Sequence, residues 1–347
     1  MNETATLWWD RGTESIRYID QTLLPEKYII VECRSIGQLA TAIKRLEIRG
    51  APALGVAGAY GIALSAHICQ KNELHAFFAA VHNDAEILRA TRPTAINLGW
   101  GIDRVLSKIS NVQEIPSIRR IALAEAEAIA REDTACCHSI GENGAELLPD
   151  NCTVLTHCNA GSLACSSWGT ALGVFRSAIQ RGKRINIIAC ETRPLLQGSR
   201  LTAWELLRDG IDVTVITDSS AAHLMRTGTI NAVIVGADRI TRDAVFNKIG
   251  TYMHAVCARY HNIPFYVAAP LSTFDSRKSE MDVIIEERNR EEVTTMGCRV
   301  YVPDTAGVKN YAFDATPMNL VTAIITEQGV LHPPISIDSL LSFKSTK

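Results

Sequence analysis

The second half of the chain repeats one rhythm, in which a short apolar run rich in β-formers gives way to a polar turn and then to a helical pattern. The runs are Thr153–Thr156, Ile185–Ala189, Asp212–Ile216, Ala232–Gly236, Phe265–Ala268 and Arg299–Val302, with helical stretches at Gly169–Arg181, Thr202–Asp209, Ala221–Arg226 and Ile249–Tyr260. Nearly continuous apolar strands alternating with helices predict a parallel sheet covered on both faces. The first part reads differently. Trp9-Asp10 and Ser15–Asp20 predict short antiparallel strands around a turn at Arg11-Gly12. Apolar residues at helical spacing follow at Ile36–Leu46, Val56–His67, Leu74–Leu88 and Ala95–Ile109. The alanine- and glutamate-rich stretch Ile118–Ile140 predicts a long helix bridging the two parts. The expected class is α/β. A small N-terminal domain of antiparallel strands and helices, with the bridging helix, covers residues 1–132, and a Rossmann-like, doubly wound parallel-sheet domain covers residues 133–347.

Composition narrows the partners. The 347 residues leave room for two domains, and 47% hydrophobic with 21% charged residues is an ordinary globular balance. A formal net charge of -2 gives no reason to expect nucleic acid. No apolar run reads as a membrane span, and the start of the chain lacks a basic-then-apolar signal pattern, so a cytoplasmic location and no membrane partner are expected. The ten cysteines form no C-x-x-C pair, so no zinc framework and no metal are expected, and the thiols read as reduced. No G-x-G-x-x-G follows the run ending at Thr156, which argues against a dinucleotide.

The chemistry gathers at the carboxyl ends of the predicted strands, where open α/β sheets bind ligands. The most informative segment is Val154–Ser162, an apolar run that breaks into His157-Cys158-Asn159-Ala160-Gly161. A following helix start would place Cys158 in a positive local field that makes a thiol reactive. His157 reads as an orienting or packing residue. Glu191 and Arg193 read equally as a structural ion pair or as ligand contacts, and Asp218 as a cap for the next helix. Asp238, just past an apolar strand, suits a general acid or base. In the first half, Arg49-Gly50-Ala51-Pro52 and Arg92-Pro93-Thr94-Ala95 set arginines at helix starts, and Asn247-Lys248 precedes the helix predicted at Ile249. Together these favour a phosphorylated ligand.

The same residues carry a family resemblance that runs nearly end to end. The motifs are Arg49-Gly50-Ala51-Pro52-Ala53, Arg92–Leu98, Thr156–Gly161, Glu191-Thr192-Arg193-Pro194 with Gln197-Gly198, Gly236–Ile240 with Asn247–Thr251, and Ala312–Pro317. The chain resembles the methylthioribose-1-phosphate isomerases. These fall in a larger group with the ribose-1,5-bisphosphate isomerases and the regulatory subunits of the translation-initiation guanine-nucleotide exchange factor. The resemblance implies a catalytic pair, Cys158 and Asp238, and substrate contacts from Arg49, Gly50, Ala51, Arg92, Gln197, Asn247 and Lys248. It implies a homodimer acting on a phosphosugar without metal, nucleotide or other cofactor. The expected reaction is conversion of 5-methylthioribose 1-phosphate to its ketose, in methionine salvage. Two alternatives are isomerisation of another C1-phosphorylated pentose and a non-catalytic phosphosugar-binding regulator. Leu163, Ala164 and Trp168 suggest an apolar wall for an uncharged C5 substituent, and Arg242 is the cation that a second phosphate would need.

Overall fold

The computed structural model describes residues 5–334. The chain divides into two compact units, one containing residues 5–137 and Gly161–Gly169, the other His138–Ala160 and residues 170–334.

The first unit opens with three antiparallel strands, β1 (Leu7–Asp10), β2 (Ser15–Ile19) and β3 (Ile30–Cys33). The first two are those expected. The sequence reading did not foresee β3, because a glutamate interrupts its short apolar run. Four helices follow as expected, α1 (Ile36–Lys44), α2 (Ala51–Ile68), α3 (Leu74–Arg89) and α4 (Ile96–Ile109), and then the long α5 (Ile115–Leu147). The division between the units falls inside α5, at Cys137 and His138. Helix α2 is apolar on every side because it is the core of this unit: Ala53 through Ala66 are all buried. By length and hydropathy it is one helix that could cross a membrane, contrary to the sequence expectation, and 78% of it is buried inside the protein.

The second unit is built on β4 (Cys152–Thr156), β5 (Ile185–Cys190), β6 (Val213–Ile216), β7 (Ala232–Val235), β8 (Arg239–Ile240), β9 (Ala244–Lys248) and β10 (Phe265–Ala268). Further along come β11 (Thr295–Met296), β12 (Arg299–Val300), β13 (Phe313–Pro317), β14 (Ala323–Thr326) and β15 (Gly329–Leu331). Seven of these form one sheet in the order β15-β14-β10-β7-β4-β5-β6, parallel except for β15. Helices α6 (Ala171–Gln180), α7 (Ala203–Arg208), α8 (Ser220–Arg226) and α9 (Thr251–Tyr260) lie between its strands in sequence. A separate antiparallel sheet has the order β13-β9-β8. One expected strand is misplaced. Arg299–Val302 does not join the parallel sheet, since β12 is exposed and, among the described residues, pairs with β11 alone, and the parallel neighbours of β10 are β7 and β14. The Ala323–Thr326 run is fully buried, as an interior parallel strand requires.

Candidate functional site

The strand order fixes where a ligand can enter the parallel sheet. From β4 the chain moves outward through β5 and β6, then returns to β7 on the other side of β4. The direction of winding therefore reverses between β4 and β7, and the crevice beyond the carboxyl ends of two such strands is the usual ligand position. Cys158 follows β4 and Asp238 follows β7, so the two expected catalytic residues flank this reversal. The two strand ends come close. A Cβ placed on Gly236 would stand 2.6 Å from the Ala160 Cβ, so only glycine fits there.

Cys158 is held by its backbone. Its φ of +66° is a left-handed conformation that non-glycine residues rarely adopt. The conformation is over-determined by two threonines. The Cys158 N–H donates to Thr192 Oγ1 at 2.8 Å, and Thr202 Oγ1 donates to the Cys158 carbonyl at 2.7 Å. Thr192, itself at φ +67°, also donates its hydroxyl to the Cys190 carbonyl at 3.1 Å. Two strained residues, one of them β-branched, are thus locked together at the ends of adjacent strands, as pre-organised sites often are. Thr202 lies in a π-helical turn, Gly198–Thr202, that leads into α7. Asn159 completes the loop, its side-chain amide donating to Glu205 Oε1 at 2.9 Å.

Several expectations change. No helix starts at Cys158. A 3-10 turn, Ser162–Ala164, and further loop follow, and α6 begins only at Ala171. Its early amide at Leu172 already donates to the Ala160 carbonyl. The thiol is therefore presented by a clamped turn and not by a helix N-terminus. Asp218 does not cap α8 with its side chain. Its two carboxylate oxygens accept the Thr192 and Arg193 amides at 2.8 and 2.7 Å, which fixes the loop that holds Cys158. Arg193 spends its guanidinium on the carbonyls of Pro194 and Val293. Sequence reasoning noticed the Glu191–Pro194 motif without seeing that its threonine serves Cys158, and it missed Thr202 altogether. A β-branched residue forced to positive φ leaves no mark in a sequence.

Gln197 is buried, and its Oε1 accepts no hydrogen bond among the described residues. A buried acceptor left without a donor implies that something else satisfies it. Asn247 and Lys248 end the buried strand β9 and do not directly open a helix. Asn247 donates to Thr251 Oγ1 at 3.1 Å. The Lys248 ammonium donates to the Ala312 carbonyl at 3.0 Å and lies 5.0 Å from the centre of the Phe313 ring. The first amides of α9 are occupied as well, since Asp314 accepts from Gly250 and Tyr252. Burial pushes the Asp314 carboxyl up to about 6, against the pull of those amides and of Lys248.

His157 is oriented, as expected. It is 1% exposed, and its Nε2 donates to the Ile249 carbonyl at 2.8 Å. Burial lowers its pKa to about 4. His254 Nε2 stands 3.2 Å from His157 Nδ1, and burial followed by that neighbour lowers its pKa to about 3. With Cys190 and Asp218 these two histidines form a group of four side chains whose donor atoms could hold a metal ion.

In the other unit, Gly50 is the N-cap of α2 at φ +96°, with no side-chain cap bond and a proline in the first turn. A Cβ on Gly50 would meet the Ala164 backbone at 2.5 Å, so the α2 start packs directly on the Gly161–Gly169 segment. Ala51 is the first helical residue. Arg49 Nε donates to Gln21 Oε1 at 2.8 Å, and Gln21 in turn donates to the Leu163 carbonyl. Arg92 sits in a turn before α4, which starts at Ile96 with Ala95 as its cap, so Pro93 lies outside the helix. Ala164 and Trp168 are buried in a cluster with Cys137 and Cys165, and this packing accounts for their apolar character without a ligand.

Comparison with known proteins agrees with this architecture. Residues 47–333 match the Initiation factor 2 subunit family. A protein of Methanosarcina acetivorans named "Putative methylthioribose-1-phosphate isomerase" is 53% identical over 336 residues, 97% of each chain. The crystal structure of 5-methylthioribose 1-phosphate isomerase from Pyrococcus horikoshii superposes with a TM-score of 0.92 at 41% identity, covering 99% of this chain and 96% of that one. A structure from A. fulgidus described as translation initiation factor eIF-2B, subunit delta, superposes with a TM-score of 0.89 at 52% identity, covering 97% and 99%. With a family match over residues 47–333, nearly full-length coverage and identity above half, the chain belongs to the Initiation factor 2 subunit family, among its methylthioribose-1-phosphate isomerases.

Proposed function

We propose that this protein converts 5-methylthioribose 1-phosphate to 5-methylthioribulose 1-phosphate, a step of methionine salvage, and that it works as a cytoplasmic homodimer. The observation that supports the reading is the position of a clamped, left-handed Cys158 and of Asp238 just past β4 and β7, the two strands between which the winding of the sheet reverses.

The chemistry explains why such a pair is needed. Phosphate on the anomeric carbon blocks the ordinary route through a free aldehyde. The ring must open, a hydrogen must move from C2 to C1, and a ketone must form at C2 while C1 keeps its phosphate. Asp238 protonates the ring oxygen as the C1–O bond breaks. The C2 hydrogen then leaves as a proton to the Cys158 thiolate and returns at C1 through an enolate, or it shifts directly as hydride while Cys158 and Asp238 manage the hydroxyl protons. Deuterium at C2 separates the routes, because only the enolate route washes label into water. The buried, unsatisfied Gln197 Oε1 supports a contact with a sugar hydroxyl. Arg49, Gly50, Ala51, Arg92, Asn247 and Lys248 complete the proposed substrate contacts, with the arginines and the capless α2 start suited to phosphate.

A second reading, a non-catalytic regulator, is favoured by the description of the A. fulgidus structure as a translation initiation factor subunit. One experiment separates the readings. Purified protein is offered 5-methylthioribose 1-phosphate, 5-deoxyribose 1-phosphate and ribose 1,5-bisphosphate, and ketose formation is followed. Turnover of the first, with tolerance of the second, is expected. Turnover of none would favour the regulator. Preference for the bisphosphate, lost on Arg242→Ala, would assign a different isomerase.

A further inference from the structure

The four-residue group beside the Cys158 loop has the makings of a site in its own right. His157, Cys190, Asp218 and His254 come from the ends of β4, β5 and β6 and from within α9, and one donor atom of each lies within 4.8 Å of all the others. His157 Nδ1 is 3.2 Å from His254 Nε2 and 3.8 Å from Asp218 Oδ1. A tetrahedral ion with bonds of about 2.0–2.3 Å places its ligands roughly 3.3–3.8 Å apart, so these separations already approximate its edges.

The surroundings are those of ligands. The Ile249 carbonyl can only accept, so the His157 Nε2 carries the proton and Nδ1 faces the group bare. Asp218 is oriented by the Thr192 and Arg193 amides, the second-layer bonding that ligating carboxylates usually show. Charge balance points the same way. Two imidazoles kept neutral by burial, one carboxylate and one thiolate total two negative charges, which a divalent cation cancels. A buried group of this kind is cheapest when neutral overall. The thiolate and imidazoles select a soft cation over magnesium or calcium.

We propose that His157, Cys190, Asp218 and His254 form a closed site for Zn²⁺, with release of the Cys190 thiol proton on binding. Four protein ligands leave no open position, so the ion is structural. It braces Asp218, which holds the Thr192 loop, whose hydroxyl holds the Cys158 amide. The inference goes beyond the isomerase reading and does not depend on it.

The test uses the full chain, stripped with a chelator and titrated with Zn²⁺ against a chromophoric competitor, and with Co²⁺ as a spectroscopic substitute. About one ion per chain and a thiolate-to-cobalt charge-transfer band are expected. Cys190→Ser should abolish the band, and His254→Asn should weaken zinc binding by more than the ~10–100-fold typical of losing an outer-layer partner. Cys158→Ser should keep both the ion and the band. Should His254→Asn fail to fold, Cys190→Ser carries the test. Absence of zinc binding by the wild type would overturn the site, leaving a plain histidine–histidine hydrogen bond. A band that survives Cys190→Ser would overturn it too.

Discussion

Cys158 and Cys137 are chemically identical residues in contrasting settings. Cys158 ends a strand, half-buried, with its amide and carbonyl both gripped by threonine hydroxyls and its backbone turned left-handed. Cys137 lies inside α5, 1% exposed, next to Cys165 and Asp133. Its pKa is raised well above the ordinary thiol range, first by the hydrogen bond with Cys165, then by burial and by the nearby charges. Inside a helix the backbone is already satisfied by its own ladder, so a side chain can only pack. At a strand end the backbone is free to be bound by neighbours, and those bonds can turn a side chain toward a ligand. The contrast therefore lies in what holds the main chain, not in residue type.

The most severe way to break this contrast is substitution. Cys158→Ser and Asp238→Asn should each lower turnover ~10²–10⁴-fold with substrate binding retained, as expected of groups that move protons in the transition state. Cys137→Ala should change stability without comparable loss of turnover. Equal losses at equal folded fraction would erase the distinction. Alkylation sharpens it. Iodoacetamide should modify Cys158 ahead of Cys137, Cys165 and Cys190, with protection by phosphosugar, followed by peptide mass mapping. Early labelling of Cys137 would mean that the helix does not shield it.

Thr192→Val keeps the β-branched shape and removes the oxygen that accepts the Cys158 amide. Loss of about 1.4 kcal/mol of positioning corresponds to a tenfold fall in kcat, with KM the less affected. An unchanged kcat would separate the clamp from the chemistry. The smallest effect concerns Asp133, whose carboxyl is raised to about 6 chiefly by burial, against the Ser166 amide. A raised carboxyl pKa means that the folded state holds more protons, so stability is full below pH ~4 and declines as pH rises through ~6. Asp133→Asn, compared with wild type by chemical denaturation, should flatten that decline by about 3 kcal/mol. An unaltered pH profile would show that Asp133 ionises freely.

The sequence was most legible where its pattern is periodic. The apolar runs gave β4, β5, β6, β7 and β10, and helical spacing gave α1 through α5, because burial on both faces of a sheet or along one stripe of a helix constrains every residue in the run. It was least legible where two segments meet only in space. Arg299–Val302 has the composition of a strand yet is exposed, while the decisive strand β14 is four residues lying far from its partner β10 in the chain. The site divides the same way. Cys158, Asp238 and Gln197 were visible as polar residues after apolar runs. The roles of Thr192, Thr202 and Asp218 were not, because each serves a residue on another loop.

The Gly161–Gly169 segment has a consequence for how this protein could ever be taken apart. The chain leaves its first unit within α5, builds the opening strand of the second, goes back for nine residues, and only then completes the sheet, crossing the border three times. The Ala164 backbone that rests against Gly50 is thus supplied by a loop whose two ends are anchored at Cys158 and at α6. No single cut yields two self-sufficient fragments. A gene cut between Cys137 and His138 would leave the first unit without its Gly161–Gly169 piece and the second carrying that piece as a surplus, so these halves are expected to be inherited, expressed and degraded as one.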